Sequence, residues 1–209
     1  MGTSMQHWNL HQMCAIDIET SGLDPRWDQI LQIAIVPLDS NIQQRKDIAP
    51  LNLFIRPENP ELVSRAALKV NRIDLEKITR YGHDIEKAKD MLDNWVNKLK
   101  LTHTIYGNRK RILPLAQNWP FDSAFIKNWL GPDHFSEVFD SRYRDTQTVV
   151  EYLNDRAAMH ADKVPFSKVN LAWICKQLGV VNRSSHDALY DCLATAECYR
   201  ILTQRGLLG

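Results

Sequence analysis

Residues 14–25 have the sequence CAIDIETSGLDP, in which apolar and acidic residues alternate before a cluster of turn-forming residues. The alternation predicts a β-strand over 14–19 that ends at the turn. Side chains two positions apart on a strand point to the same face, so Asp17 and Glu19 lie on one face. An edge strand with a solvated face would tolerate both acids. In a buried central strand they would need a partner, and a divalent cation is the partner that two converging carboxylates suit.

The elements that follow this strand predict an α/β fold. Apolar runs at 30–38 and 51–55 continue it as an antiparallel meander, after which the hydrophobic period becomes that of amphipathic helices. Helices are predicted over 85–99, 122–130, 148–153, 171–178 and 187–203, strands over 111–116 and 137–140, and a long loop over 157–169. The order predicts a mixed sheet, an antiparallel meander followed by parallel strands, with helices on its faces.

The composition of the 209 residues is that of a globular protein. Hydrophobic residues make up 44% and charged residues 24%, which excludes a disordered or coiled-coil chain. We expect residues 12–209 to form a single domain and residues 1–11 to be an N-terminal extension or tag remnant. No apolar run is long enough to span a membrane, and the first residues do not resemble a secretory signal.

Charge and cysteine content narrow the class of protein further. The formal net charge of +1 argues against a protein that coats nucleic acid by bulk electrostatics, although a local basic groove stays open. None of the four cysteines belongs to a CxxC pair. We therefore expect all four to be small core residues in a reducing compartment, which favours a cytoplasmic location and argues against a structural zinc site.

Two further acidic positions follow predicted strands or begin predicted helices. Asp122 comes directly after the strand at 111–116, where it could cap a helix or face a metal. His186 precedes the last helix, and Asp191 lies one turn inside that helix beside its apolar stripe. A histidine at a helix start is usually solvated, whereas an Asp near a buried stripe needs a cation or strong donors.

Three segments, taken together and in order, resemble the motifs of the DEDDh 3′→5′ exonucleases. They are the sequences DIET at 17–20, NWPFD at 118–122 and HDALYD at 186–191. The resemblance covers roughly residues 12–204 and implies a ribonuclease-H-like fold. It also implies that Asp17, Glu19, Asp122 and Asp191 bind two Mg²⁺ ions, or Mn²⁺, and that His186 is the general base. Four acids from separate segments can neutralise two such ions, and an imidazole can accept a proton near neutral pH.

The same resemblance indicates residues that would contact the substrate. Thr20 and Asn118 lie within the motifs, and Leu23 matches an apolar residue that wedges against the terminal bases, with turn packing as the alternative. Trp119 could stack on a base or belong to the core. Family members often carry a His-Gly-Ile-like triplet after the third strand, where this chain has Asn71-Arg72-Ile73.

A basic stretch precedes the second motif. Residues 94–121 contain no acid, and Arg109, Lys110 and Arg111 form a cluster that could follow a phosphate backbone or be a solvated loop. The expected partner is the 3′ end of a single-stranded nucleic acid, with no membrane partner and a homodimer left open. Hydrolysis to mononucleotides is the leading interpretation. A catalytically silent nucleic-acid-binding module and a protein-interaction domain are the alternatives, and neither would need all five motif residues.

Overall fold

The structure is a computed structural model, and it describes residues 11–103, 106–107 and 109–205. The strands of its sheet are β1 (Met13–Thr20), β2 (Ile30–Pro37), β3 (Leu51–Phe54), β4 (Leu113–Ala116) and β5 (Arg144–Asp145). They form a five-stranded sheet in the order β3-β2-β1-β4-β5. β1, β2 and β3 pair antiparallel, whereas β4 pairs parallel with both β1 and β5. The mixed sheet expected from the sequence is confirmed.

Helices cover both faces of this sheet. They are α1 (Arg65–Asn71), α2 (Leu75–Tyr81), α3 (Ile85–Lys98), α4 (Trp119–Leu130), α5 (Pro132–Val138), α6 (Thr146–Met159), α7 (Leu171–Leu178) and α8 (Ala188–Arg205). Side-chain oxygens of Ser64, Asp74, Asp84 and Asn170 accept a backbone N–H in the first turn of α1, α2, α3 and α7. Within the described ranges, no helix combines the length and the apolar character that a membrane crossing would require.

The alternation of side chains along β1 divides the core into two layers. Ile16 and Ile18 pack in a cluster that includes residues of α3 and α4. Ala15 packs on the opposite face with Cys192 of α8. The odd-numbered positions of β1 therefore face α8, and β1 is a central strand rather than the edge strand that would have tolerated its acids.

The predicted strand at 137–140 is wrong, because α5 occupies residues 132–138. Gly131 has a φ of 84°, which lets the chain turn directly from α4 into α5, and Pro132 is tolerated in the first turn of the new helix. Phe139, in the segment that was predicted as a strand, forms an isolated β-bridge with Ile112. The fifth strand is instead the two-residue β5, too short for a periodic signal.

Other differences concern element boundaries. α4 begins three residues before the predicted start at Asp122, and α6 extends to Met159, so the irregular segment begins later than 157. His11, expected in the N-terminal extension, is buried and contacts the backbone oxygen of Arg111 through Nδ1 at 3.1 Å. Residues 1–10 of that extension lie outside the described residues. All four cysteines are buried and free, as predicted.

Candidate active site

β1 carries the first two acids of the site. Asp17 and Glu19 occupy odd-numbered positions, so both carboxylates point toward α8. In the antiparallel register, Asp17 lies opposite Ala34 and Glu19 lies opposite Gln32. Glu19 is buried, and Asp17 is partly exposed. The strand thus brings two carboxylates into the layer between the sheet and α8.

The third acid, Asp122, comes from the first turn of α4 and is only 3% exposed. The backbone N–H of Ile18 in β1 is close enough to this carboxylate to lower its pKa, which places Asp122 beside β1. Asp122 is not the N-cap of α4, because that position is Asn118, which has a φ of 67°. The buried carboxylate of Asp145 instead accepts the backbone N–H groups of Asn118 (3.1 Å) and Trp119 (2.7 Å). Asp145 therefore holds the start of the helix that carries Asp122.

The segment before α8 brings in the fourth acid and the histidine. The backbone N–H of His186 donates to Oδ2 of Asp191 at 2.9 Å, and Nδ2 of Asn182 donates to Oδ1. His186 has a φ of 65°, so the chain turns sharply into α8 and its exposed imidazole lies next to the acids. Potential ligand atoms of Glu19, His186 and Asp191 all lie within 4.8 Å of one another. The motif residues of β1 and α8 therefore meet in space.

Gln32 connects this segment to the sheet. Its Oε1 accepts the backbone N–H of Ala188 at 3.3 Å, and its Nε2 lies 3.4 Å from Oδ1 of Asp187. Gln32, Asn182 and Asp145 were not among the residues predicted for the site. Gln32 could have been recognised from the sequence, because it is a polar residue inside the apolar run at 30–38. Asp145 could have been recognised as the N-cap of a helix. Asn182 has no local signal, because its role depends on contact with the following helix.

Burial and mutual repulsion disfavour the charged forms of these acids. Burial raises the pKa of Asp17 well above its ordinary value, and the neighbouring carboxylates of Asp122, Asp191 and Glu19 raise it further. Burial, together with Asp191 and Asp187, raises the pKa of Glu19 from 4.5 to about 8. Burial also raises the pKa of Asp122 and of Asp191, although hydrogen bonds to each carboxylate act in the opposite direction. In the metal-free protein the cluster therefore favours bound protons.

The donor set fits divalent cations. Within the described residues, no Lys or Arg forms an ion pair with any of the four acids. Oxygen donors held close together without a basic partner are the ligands that Mg²⁺ and Mn²⁺ prefer. A cation would remove the repulsion that raises the pKa values of Asp17 and Glu19.

The expected substrate contacts divide into exposed and internal positions. Leu23 is 83% exposed on the turn after β1, and the side chain of Asn118 is exposed at the start of α4. Thr20 is buried, and its Oγ1 donates to the backbone oxygen of Gly22 at 2.6 Å. Asn71 is also buried, and its Nδ2 donates to the backbone oxygen of Thr20 at 3.2 Å. Thr20 and Asn71 thus shape the backbone that follows Glu19.

Trp119 does not support the expected base stacking. It is 4% exposed and packs against Phe135, with ring centroids 6.3 Å apart, and against Phe139, with centroids 6.0 Å apart. These contacts join α4 to α5 and to the bridge at Phe139. Trp119 is a core residue because the helix that begins at position 119 turns its ring toward the unpredicted helix α5.

The basic cluster of Arg109, Lys110 and Arg111 lies at the opposite end of the sheet from the acids. β4 runs parallel to β1, with Met13 level with Leu113, so Arg111 is six residues before the level of Asp17. At about 3.3 Å per residue, the separation along the strand is roughly 20 Å. Arg109 also donates from Nη2 to the backbone oxygen of Val96 at 3.4 Å. The cluster cannot contact the nucleotide that reacts at the acids, although a longer strand could reach it.

A cavity of about 390 Å³ adjoins the site at His186. Its lining joins the segment before α8 to β2, β3, α1 and α2 and includes Gln32, Phe54, Arg72, Lys77, Tyr81 and His186. Its volume falls within the range of small-molecule sites. The lining combines aromatic and cationic side chains with His186 and with the carboxylates of Asp74 and Asp187, so it offers a ring face and both signs of charge to a ligand.

Comparison with known proteins places this geometry in a family. The model of the RNase T family, described as Exonuclease, matches residues 14–199. Ribonuclease T of Buchnera aphidicola subsp. Schizaphis graminum is 28% identical over 204 residues, which cover 91% of this chain and 82% of the relative. The family match spans all three motifs, from the strand with Asp17 and Glu19 to the helix with Asp191.

Solved structures agree on the fold. E. coli exonuclease I in complex with a dT13 oligonucleotide has a TM-score of 0.71 at 18% identity, covering 95% of this chain but 42% of that one. Cell-death related nuclease 4 has a TM-score of 0.70 at 17% identity, covering 96% of this chain and 66% of that one. The ribonuclease-H-like fold is thereby confirmed. The chain belongs to the RNase T family of exonucleases, which are phosphodiester hydrolases.

Proposed function

We propose that this protein is a metal-dependent 3′→5′ exonuclease that hydrolyses single-stranded RNA or DNA to mononucleotides. The observation that carries the proposal is the convergence of Asp17, Glu19, Asp122 and Asp191 beside His186. Nothing in a binding module would favour gathering four acids so closely, since their raised pKa values reflect a cost to the folded state. A catalytic cation site gives that cost a function.

The four carboxylates would hold the cations, in the roles that the resemblance implies. Two Mg²⁺ ions, or Mn²⁺ in their place, would activate water and neutralise charge on the scissile phosphate when bound. The carboxylate of Asp191 is oriented before any cation binds, because Asn182 and the backbone of His186 each occupy one of its oxygens. The carboxylate of Asp122 lies beside the backbone N–H of Ile18 in β1.

His186 would accept the proton of the attacking water. Its imidazole is exposed at the edge of the carboxylate cluster, where both water and substrate can reach it. The hydrogen bond from its backbone to Asp191 fixes the base relative to a metal ligand, so the two act as one unit. The cavity beside His186, with Arg72, Lys77 and Tyr81 in its lining, would bind the terminal nucleotide.

Mononucleotide release is the experiment that tests this function. We would incubate 5′-labelled single-stranded RNA and DNA of one sequence with the protein in Mg²⁺ or in EDTA, and include ends blocked by a 3′-phosphate. The expected result is a ladder of products shortened from the 3′ end in Mg²⁺ alone. Asp191→Asn should abolish it, whereas Asp162→Asn, an exposed Asp in the loop after α6, should not.

The catalytically silent binding module makes a different prediction. It would bind the oligonucleotide and release no product from any substrate in Mg²⁺ or Mn²⁺. That outcome, with a folded protein and measurable binding, would reject the exonuclease proposal and favour the module. Release of the 5′ label directly as a mononucleotide, with no ladder of shortened products, would reject the proposed polarity.

A further inference from the structure

The turn that follows β1 exposes a large aromatic side chain. Trp27 is 79% exposed, and Leu23 on the same turn is 83% exposed. A tryptophan has the largest apolar surface of any side chain, so a soluble protein rarely leaves one in water without a contact to make. Leu23 matches a family position, whereas no motif of the sequence includes Trp27.

Hydrogen bonds inside the turn fix its shape. The carboxylate of Asp28 accepts the hydroxyl of Ser21 at 3.1 Å and the backbone N–H of Asp24 at 2.9 Å. The backbone N–H of Trp27 donates to the oxygen of Asp24 at 3.0 Å. A Cβ atom at Gly22 would clash with the Asp28 carboxylate, so glycine allows this close approach. The internal contacts hold Trp27 without covering its ring.

Contacts with three other segments anchor the turn to the domain. Nδ2 of Asn128 in α4 donates to the backbone oxygen of Pro25 at 2.8 Å. Gln29 and Glu58 exchange two hydrogen bonds, of 2.9 and 3.0 Å. The backbone N–H of Ser64 donates to the oxygen of Ser21 at 2.9 Å. Trp27 is thus presented by a preorganised support, which reduces the entropy lost when a ligand binds.

The apolar patch formed by Leu23 and Trp27 is better suited, by its position and size, to bind a nucleobase than a protein. The hydrogen bond from Ser21 to Gln29 closes the turn only two residues after Glu19, so Trp27 is carried by the turn that leaves the acidic strand directly after its second acid. Two side chains provide far less than the roughly 800 Å² that each partner buries in a stable protein interface. An aromatic face suits a base of any sequence, because every base has a π-face.

We propose that Trp27 is a platform on which a base of the single-stranded substrate stacks, on the 5′ side of the scissile phosphodiester bond. The inference rests on the proposed function and adds a determinant of substrate binding to it. The cavity beside His186 accounts for the terminal nucleotide, so the base on Trp27 belongs to the part of the strand that remains after cleavage. A base in a duplex is stacked on both faces, and Trp27 therefore selects for single strands.

An abasic scan tests the platform. Binding of a 5′-labelled single-stranded 12-mer would be measured in Ca²⁺ for the wild type, Trp27→Ala and Trp27→Phe. The measurement would be repeated with oligonucleotides that carry one abasic nucleotide at each of the last six positions in turn. Trp27→Ala should weaken binding of the intact strand by about 5- to 150-fold, and Trp27→Phe by much less. One abasic position should weaken wild-type binding and leave Trp27→Ala binding unchanged. Tyr152→Ala, at a 64% exposed aromatic on α6, is the matched control and should change nothing.

The outcomes separate this inference from the proposed function. Identical abasic profiles for the wild type and Trp27→Ala would overturn the platform, while release of mononucleotides by the wild type in Mg²⁺ would leave the exonuclease proposal standing. Failure of that release would reject the exonuclease proposal, and the abasic profile would still decide the platform. A change in sedimentation for Trp27→Ala, with unchanged oligonucleotide binding, would instead make the patch a contact with a second protein and overturn the inference.

Discussion

Replacing Glu19 with Gln should stabilise the metal-free protein while abolishing its activity. Burial raises the pKa of Glu19 from 4.5 to about 8, so the folded state holds a proton that the unfolded state releases between these pH values. The sign follows from linkage: the folded protein binds more protons, so its stability falls as pH rises through this window. Below pH 4.5 this cost is absent, and above pH 8 it is complete.

The size of the effect follows from the same shift. At pH 7, 2.5 pH units above the ordinary value of 4.5, the cost of Glu19 is about 3 kcal/mol at about 1.4 kcal/mol per unit. In a protein of this size that corresponds to a rise in Tm of about 6–12 °C. Gln has no proton to lose, and its amide can donate to the neighbouring carboxylates, so Glu19→Gln should recover much of this difference.

Thermal unfolding in EDTA between pH 4.5 and 9 measures this difference in stability between the wild type and Glu19→Gln. The Tm of Glu19→Gln should exceed that of the wild type at pH 8 and converge with it near pH 4.5. Saturating Mg²⁺ should reverse the order, because the wild type keeps a metal ligand that the variant lacks. Glu137→Gln, at an exposed position on α5, is the control and should show no such trend. A Tm difference independent of pH, or a less stable variant in EDTA at pH 8, would refute the electrostatic account of this cluster.

Three further predictions address other parts of the site. His186→Ala should lower kcat by about 10²- to 10⁴-fold with little change in oligonucleotide affinity. Near-native turnover of this variant would contradict the role of His186 as base. Asn182→Ala should raise the Mg²⁺ concentration for half-maximal activity by about 10- to 100-fold, because it removes the hydrogen bond that orients the Asp191 carboxylate. An unchanged Mg²⁺ requirement would exclude this orienting role of Asn182. Replacing all three of residues 109–111 with alanine should reduce the salt dependence of 20-mer binding. The hydrolysis of a dinucleotide should not change, because the basic cluster lies at the far end of β4. An unchanged salt dependence of 20-mer binding would identify the cluster as a solvated loop.

The sequence sufficed to predict the type and order of the main elements. Alternation at 14–19 and apolar runs at 30–38 and 51–55 predicted the meander, and α3, α7 and α8 followed from their hydrophobic period. Short elements had too few residues for a period to register, which is why α1, α2 and the two-residue β5 were not predicted. The turn from α4 into α5 was read as a helix end, because Gly-Pro usually stops a helix.

The acids of the site were also recognisable from the sequence. Two carboxylates sharing a face of an apolar strand, and an Asp beside a buried helical stripe, each conflict with burial unless a cation compensates them. That conflict is local and can be read from residue order. The positioning residues Asn182 and Asp145 were not recognised, because each forms its hydrogen bond with a residue of a different element.

Exposure of individual side chains was decided by the tertiary structure alone. Trp119 and Trp27 both lie in or near a motif, yet α5 covers the first, and the hydrogen-bonded turn leaves the second in solvent. The basic residues 109–111 are close to Asp122 in sequence but lie at the other end of β4, because the strand carries the chain across the sheet between them. Periodicity and charge pattern depend on neighbours along the chain and are therefore present in the sequence. Which surfaces meet depends on how distant elements pack, and only the folded chain determines that.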